Sequence, residues 1–283
     1  MQSRIETTCL PPDDWQKPAF RRMLTPMTQV EWAAFSAFRE AFRRQAESWN
    51  RDFAAELAPL QRSAAERDTP PYPLETPVVY NAALDEVRAE DAVRLIIVGD
   101  NPGKDEQRAH NRRYLVGQAG KLGDGFFRIH PELGIDFRRD AVILNKTPVH
   151  SAKTAHLRAV VRDGSLAVRR LVQESQRFMA EQTARLHRAL CGSGCMLWLV
   201  GYAELKPHGI FSEYRDTLLR AYECDAALAW SRVLVFQHFS QNRFSVDLKG
   251  FCVGTVPTDG TLAQRLFELG TRHKAKIFEH TIR

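Results

Sequence analysis

Residues 93–99, Val-Arg-Leu-Ile-Ile-Val-Gly, constrain the fold more than any other part of the chain. Five of the first six are apolar and four are β-branched, the composition of a strand buried on both faces of a parallel sheet. The run stops at Gly99, and Asp100, Asn101, Pro102 and Gly103 make a tight turn. Pro102 fixes its own φ and Gly103 tolerates unusual backbone angles, so the acid and amide between the two glycines are held in place. Open α/β sheets bind ligands beyond the carboxyl ends of their strands. Gly99 to Gly103 therefore form the first candidate binding segment, with a strand-to-helix turn capped by Asp100 as the competing reading.

Three further apolar runs have the same character. Ala141 to Leu144 ends at Asn145-Lys-Thr-Pro148, Met196 to Val200 ends at Gly201, and Arg232 to Phe236 delivers Gln237 and His238. Helical spacing fills the intervals, around Phe126 and Phe127, from about Leu166 to Leu190, and from Ser212 to Tyr222. The pattern predicts one α/β domain over residues 78–283, a central parallel sheet of about four strands flanked by helices. A last helix is expected to open at Pro257 and run through Leu269, followed by a basic tail.

Residues 1–77 form a helical N-terminal region expected to dock on that core. Thr28 to Glu31 reads as a capping box. Trp32, Phe35, Phe38, Phe42, Trp49, Phe53 and Leu57 then recur at helical spacing, a core-facing stripe that Pro59 is expected to end. Arg39, Arg43, Arg44 and Arg51 lie off the stripe, on a solvated or phosphate-facing side. Thr69 to Pro77 reads as a stiff extended connector.

No window approaches a membrane span, and the first fifteen residues lack an apolar signal region, so a cytoplasmic location is the default. The five cysteines are scattered and odd in number, which suits reduced thiols. Cys191 and Cys195 follow His187 closely, but no fourth ligand lies near, and no metal is expected. A net charge of +6 and a pI near 9.2 favour an anionic partner, most commonly nucleic acid. Lys146, His150, Lys153, His156 and Arg158 make one loop basic, which suits a phosphate track.

The turn Gly99-Asp-Asn-Pro-Gly103 resembles the first active-site motif of the uracil-DNA glycosylase superfamily, where a strand ends in Gly-x-Asn/Asp/Ala-Pro-Gly/Tyr. Tyr114 to Leu122, YLVGQAGKL, is similar to the Phe-Val-Gly-x-Ala-Gly-x-Leu run of the iron–sulfur branch. His238 and Ser240 match the second motif, His-Pro-Ser-Pro, with Phe239 and Gln241 in place of the prolines. Asn145 matches the base-reading Asn. Thr147 stands where the iron–sulfur branch has a Cys, and that branch's N-terminal cysteine pair is missing, so no cluster or other cofactor is expected.

The resemblance implies a monofunctional DNA glycosylase that flips a pyrimidine and hydrolyses its N-glycosidic bond. Asp100, Asn101 and His238 would be catalytic. Gly99, Pro102, Gly103, Tyr114, Leu115, Asn145 and Ser240 would bind the flipped nucleotide. Lys146, Lys153, Asn242, Arg243 and Phe244 would contact DNA, the last three where the family inserts a wedge. The partner would be single- or double-stranded DNA, bound by a monomer, with no membrane. Leu115 stands where the family stacks an aromatic ring on uracil. Either Tyr114 turns inward to replace it, or the pocket suits a bulkier base, such as the glucosylated hydroxymethylcytosine that some members excise in phage defence. Two other classes compete: a DNA-binding member that has lost chemistry, and an unrelated nucleotide-binding α/β enzyme. No Gly-x-Gly-x-x-Gly or Gly-x4-Gly-Lys-Ser/Thr loop supports the second.

Overall fold

The computed structural model describes residues 25–223, 227–254 and 260–278. Four strands, β1 (Leu95–Gly99), β2 (Ala141–Asn145), β3 (Met196–Val200) and β4 (Val233–Phe236), form a sheet of order β2-β1-β3-β4. All neighbours run parallel, with Gly99 opposite Asn145 and Val200 opposite Phe236. β1, β3 and β4 are buried along their whole length, as their unbroken apolar runs require. The chain turns back at β1, going first to β2 on one side and then to β3 on the other. The carboxyl ends of β1 and β3 therefore flank the crevice where such sheets receive ligands.

Eight α-helices cover the sheet among the described residues: α1 (Gln29–Glu66), α2 (Gln118–Ile129), α3 (Thr154–Asp163), α4 (Leu166–Leu190), α5 (Ser212–Tyr222), α6 (Ala227–Ser231), α7 (Arg243–Gly254) and α8 (Leu262–Phe278). The capping box at Thr28 and Glu31 forms as expected. Phe35, Phe38, Phe42, Trp49 and Leu57 are buried in the same core as the strands, with Phe42 against Tyr80 and Trp49 edge-on to Phe178.

Pro59 does not end α1, which continues to Glu66. Proline removes the N–H that would bond the Ala55 carbonyl, but Ala55 and Pro59 are both exposed, so water can take the freed acceptor. Gln61, Ala64 and Ala65 remain buried beyond it. Helices α3, α6 and α7 are additional to the sequence expectation, and α3 takes up part of the stretch read as a basic loop. The last helix runs past Leu269 to Phe278, so Arg272 to Phe278 are helical. Residues 257–259, where it was expected to open, lie outside the described residues.

Trp198 and Phe236 project to one face of the sheet onto Phe127 of α2 and Phe244 of α7. This aromatic layer lies beneath the chain that follows β4. No helix among the described residues is long and apolar enough to cross a membrane.

Candidate active site

The four strand ends meet where the sequence placed its polar groups. Asp100 follows β1 directly. Its Oδ1 accepts from Lys146 Nζ at 2.6 Å and its Oδ2 from Thr154 Oγ1 at 3.2 Å. Gly201, at the end of β3, has φ +87, and a β-carbon there would collide with Asp100 Oδ1. The position thus requires glycine on two counts.

Asn101 directs its amide N–H groups at Ser151, donating to the carbonyl at 3.0 Å and to Oγ at 2.9 Å. Pro102 is fixed through its carbonyl, which accepts from Ser151 N at 3.1 Å and from His150 Nδ1 at 2.8 Å. The proton on Nδ1 leaves His150 Nε2 to accept from Tyr72 OH at 2.9 Å. Burial pushes the His150 pKa down to about 4, so this brace is neutral.

Asn145 ends β2 and is fully buried, and its Nδ2 has no hydrogen-bond partner among the described residues. A buried amide donor without a partner costs roughly 1–3 kcal/mol, and a ligand that supplies an acceptor removes that cost. Leu115 and Asn145 both approach Gly99: a β-carbon on residue 99 would lie 3.8 Å from Leu115 Cδ2 and 2.6 Å from Asn145 Oδ1.

Leu115 adopts φ +51, a rare conformation for a bulky side chain. It is held from several sides. Arg138 donates to the carbonyls of Tyr114 and Leu115 at 3.3 and 2.5 Å. Gly120 leaves room for the Leu115 carbonyl, which any β-carbon there would overlap. The buried Glu106 carboxylate accepts from Gly103 N at 3.0 Å and from the backbone N–H groups of Leu115 and Val116. Burial raises its pKa to about 7.

Tyr114 does not turn toward the site. It is fully buried and its hydroxyl donates to the Val79 carbonyl at 2.5 Å. Leu115 is therefore the wall beside Gly99 and Asn145.

His238 is partly buried just past β4. Its Nδ1 accepts from Ser240 N at 3.1 Å and from Ser240 Oγ at 2.8 Å. With Nδ1 accepting, the neutral ring carries its proton on Nε2. Burial pushes its pKa below the ordinary value; nearby Asp100 opposes the shift and Lys146 adds to it. His238 is thus a neutral donor. Ser240 serves to hold the ring. In the turn, Gln241 and Asn242 have φ +54 and +55 and are exposed.

Two DNA-contact expectations need correction. Lys146 is completely buried, with its ammonium shared among Asp100 and the carbonyls of Gly99 and Val200, so it presents no charge to a phosphate. Phe244 is buried against Phe126, Trp198, Phe236 and Phe239 and is not free to act as a wedge. The basic stretch from Lys146 to Arg158, which runs into α3, is also largely engaged within the fold. His150 and His156 are buried, Lys153 pairs with Asp68 at 3.0 Å, and Arg158 pairs with Glu204.

Asn242 and Arg243, in the turn after His238, are exposed, as are Lys121 and Arg128 of α2 and Lys249 of α7. Thr154, Gly201, Glu106 and Ser151 are the positions that sequence reasoning missed. Of these, only Ser151 and Thr154, polar residues shortly after Asn145, left a local trace. Comparison with protein-family models, with curated proteins and with solved structures finds no match to this chain.

Proposed function

We propose that this protein is a monofunctional DNA glycosylase that extrudes a pyrimidine nucleotide and hydrolyses its N-glycosidic bond. The observation that carries this reading is the convergence of three complementary groups beyond one parallel sheet: the Asp100 carboxylate, the unpartnered amide N–H of Asn145 and the Nε2–H of His238. The resemblance of the segments around Gly99, Tyr114 and His238 to the uracil-DNA glycosylase superfamily supports the same reading.

A base inside a duplex cannot be reached, so it must be flipped into a pocket. Asn145 can then donate Nδ2–H to the edge of a pyrimidine and accept through Oδ1. As the bond to the sugar breaks, its electron pair stays on the base. The neutral imidazole of His238 donates Nε2–H to the carbonyl beside that bond, where negative charge develops. Water adds to the oxocarbenium carbon, and its proton passes toward Asp100. Asn101, with its N–H groups on Ser151, offers its amide oxygen to orient that water.

The substrate favoured is a bulky modified pyrimidine such as glucosylated hydroxymethylcytosine. Leu115 offers no flat ring against Gly99, and base stacking on an aromatic is worth about 1–3 kcal/mol. A β-carbon at Gly103 would meet nothing within 4 Å, so the turn is open on that side. Incubation with DNAs carrying uracil, hydroxymethylcytosine or its glucosylated form, scored for released base and abasic sites, tests the proposal. Release of glucosylated base supports it. Efficient release of uracil alone would reassign the substrate, and no release from any DNA would remove the glycosylase reading.

A further inference from the structure

Lys146 shows an arrangement that strand capping alone does not explain. It follows Asn145 directly, and its side chain is 0% exposed. Its backbone N–H bridges the carbonyls of Gly99 and Asp100, both at 3.0 Å. The ammonium then reaches across the sheet end to Gly99 O at 3.3 Å, Val200 O at 2.7 Å and Asp100 Oδ1 at 2.6 Å. All three donors of the ammonium are used, and the ring of Phe211 lies 5.2 Å from the charge.

Burying an ammonium–carboxylate pair is costly, and apolar replacements of such pairs are often neutral or stabilising. Two strand-end carbonyls could be satisfied by an uncharged donor. The ion pair therefore needs a reason beyond stability, and its geometry supplies one. Oδ1 of Asp100 is taken by the ammonium, and Gly201 gives it the room. Among the described residues Oδ2 carries only the longer bond from Thr154, which leaves it as the oxygen to face the site. The charged and titratable groups around the pair are His238 after β4 and Glu204 after β3, and Glu204 is itself paired with Arg158.

We infer that Lys146 is a positioning residue: anchored on the ends of β1 and β3, it fixes which Asp100 oxygen faces the reacting water. This rests on the glycosylase reading above. Lys146 touches no substrate, and it acts only through Asp100.

A double-mutant cycle tests the inference. Single-turnover cleavage and affinity for uncleaved DNA are measured for Lys146→Met, Asp100→Asn and the double variant, with thermal melts as the check on folding. Lys146→Met is expected to lower the cleavage rate at least about tenfold with DNA affinity changed less than twofold. The double variant is expected to cleave no more slowly than Asp100→Asn alone, because the second change removes nothing further. If Lys146→Met does not fold, Lys146→Gln, which keeps a donor for Val200 but no charge, takes its place in the cycle. Losses that multiply, or wild-type cleavage in the Lys146 variant, would overturn the inference while leaving the glycosylase reading intact. Wild-type inactivity on every DNA would instead overturn both.

Discussion

The side-chain oxygen of Asn145 occupies the space that a β-carbon on Gly99 would crowd, at a separation of 2.6 Å. The two residues are paired across β1 and β2, so neither strand can shift alone to relieve the contact. Gly99→Ala should displace the Asn145 amide, and with it the base edge that the proposed function has it read. A loss of cleavage of about tenfold or more is expected, with general DNA affinity unchanged. Asn145→Ala should be similar in cleavage, since both remove the same pair of hydrogen bonds. Steady-state cleavage alongside equilibrium binding checks this, and normal cleavage by Gly99→Ala would remove Asn145 from base reading.

Gly120 carries a stability prediction. A β-carbon there overlaps a backbone carbonyl, that of Leu115, and backbone cannot swing aside like a side-chain tip. Gly120→Ala should cost at least the roughly 1–3 kcal/mol of overpacking. For a domain of this size, that lowers Tm by about 2–4 °C per kcal/mol. Thermal unfolding measures it, and Gly125→Ala is the control, since a β-carbon there meets nothing within 4 Å.

The chemistry predicts unequal effects at His238 and Ser240. Removing a preorganised donor costs about a hundred- to a thousandfold in rate, which is the loss expected of His238→Ala. Ser240→Ala deletes only the hydroxyl contact. The backbone N–H at 3.1 Å still holds Nδ1 as an acceptor, so the loss should be about tenfold or less. Equal losses in single-turnover assays would mean that the hydroxyl is as necessary as the ring, and that the backbone N–H does not suffice to hold it.

Stability should pass through a maximum near neutral pH. Burial lowers the pKa of His150 to about 4 and of His187 to about 3. Each folded ring refuses a proton that the unfolded chain accepts below about 6.5, so stability falls as pH drops from there toward 3. Glu106 works the other way. Its pKa is raised from 4.5 to about 7, so its contribution is full below 4.5 and is lost as pH rises through 7. Two rings outweigh one carboxyl on the acid side, and Glu106 acts alone above 6.5. Urea unfolding from pH 4 to 8 should show the steeper loss in acid, and Glu106→Gln should flatten the decline between 6.5 and 7.

On the proposed reading, salt dependence would locate the contacts to DNA. Each phosphate contact on duplex DNA adds a slope of about 0.9 on a log–log plot of affinity against salt. Arg243→Ala, Lys249→Ala and Arg128→Ala should each reduce the slope by about one. Lys153→Ala should reduce it less, because that charge is already paired with Asp68. The reverse order would return the phosphate track to residues 146–158, the stretch from the end of β2 into α3.

The sheet was legible because its strands are buried on both faces, so each is an unbroken apolar run that local sequence displays. The polar residues that end those runs were legible for the same reason. What a residue meets across the fold was not. Lys146 reads as a surface charge in a loop, and only Val200 and Asp100, distant in sequence, make an interior for it. Gly201 and Gly120 are needed because of Asp100 and Leu115, which no local pattern reveals. Pro59 misled in the opposite direction, since packing on both sides of it outweighs one lost hydrogen bond. Phe244 could have been placed correctly, because Phe244 and Leu248 stand one helical turn apart and are both buried.

The brace on Pro102 has a consequence for how the molecule comes apart. His150 holds the turn by one ring nitrogen and Tyr72, in the extended connector, by the other. Gln61 of α1 ties the same stretch through the carbonyls of Pro77 and His150, and Gln107 binds the connector from the far side. Gln61 of α1 and Tyr72 of the connector thus form part of the fastening of the Asp100–Gly103 turn. Proteolytic nicking between residues 69 and 77 should therefore abolish cleavage before the sheet unfolds, and hydrogen exchange at the Asp100–Gly103 turn should quicken together with that of the connector, as one opening unit.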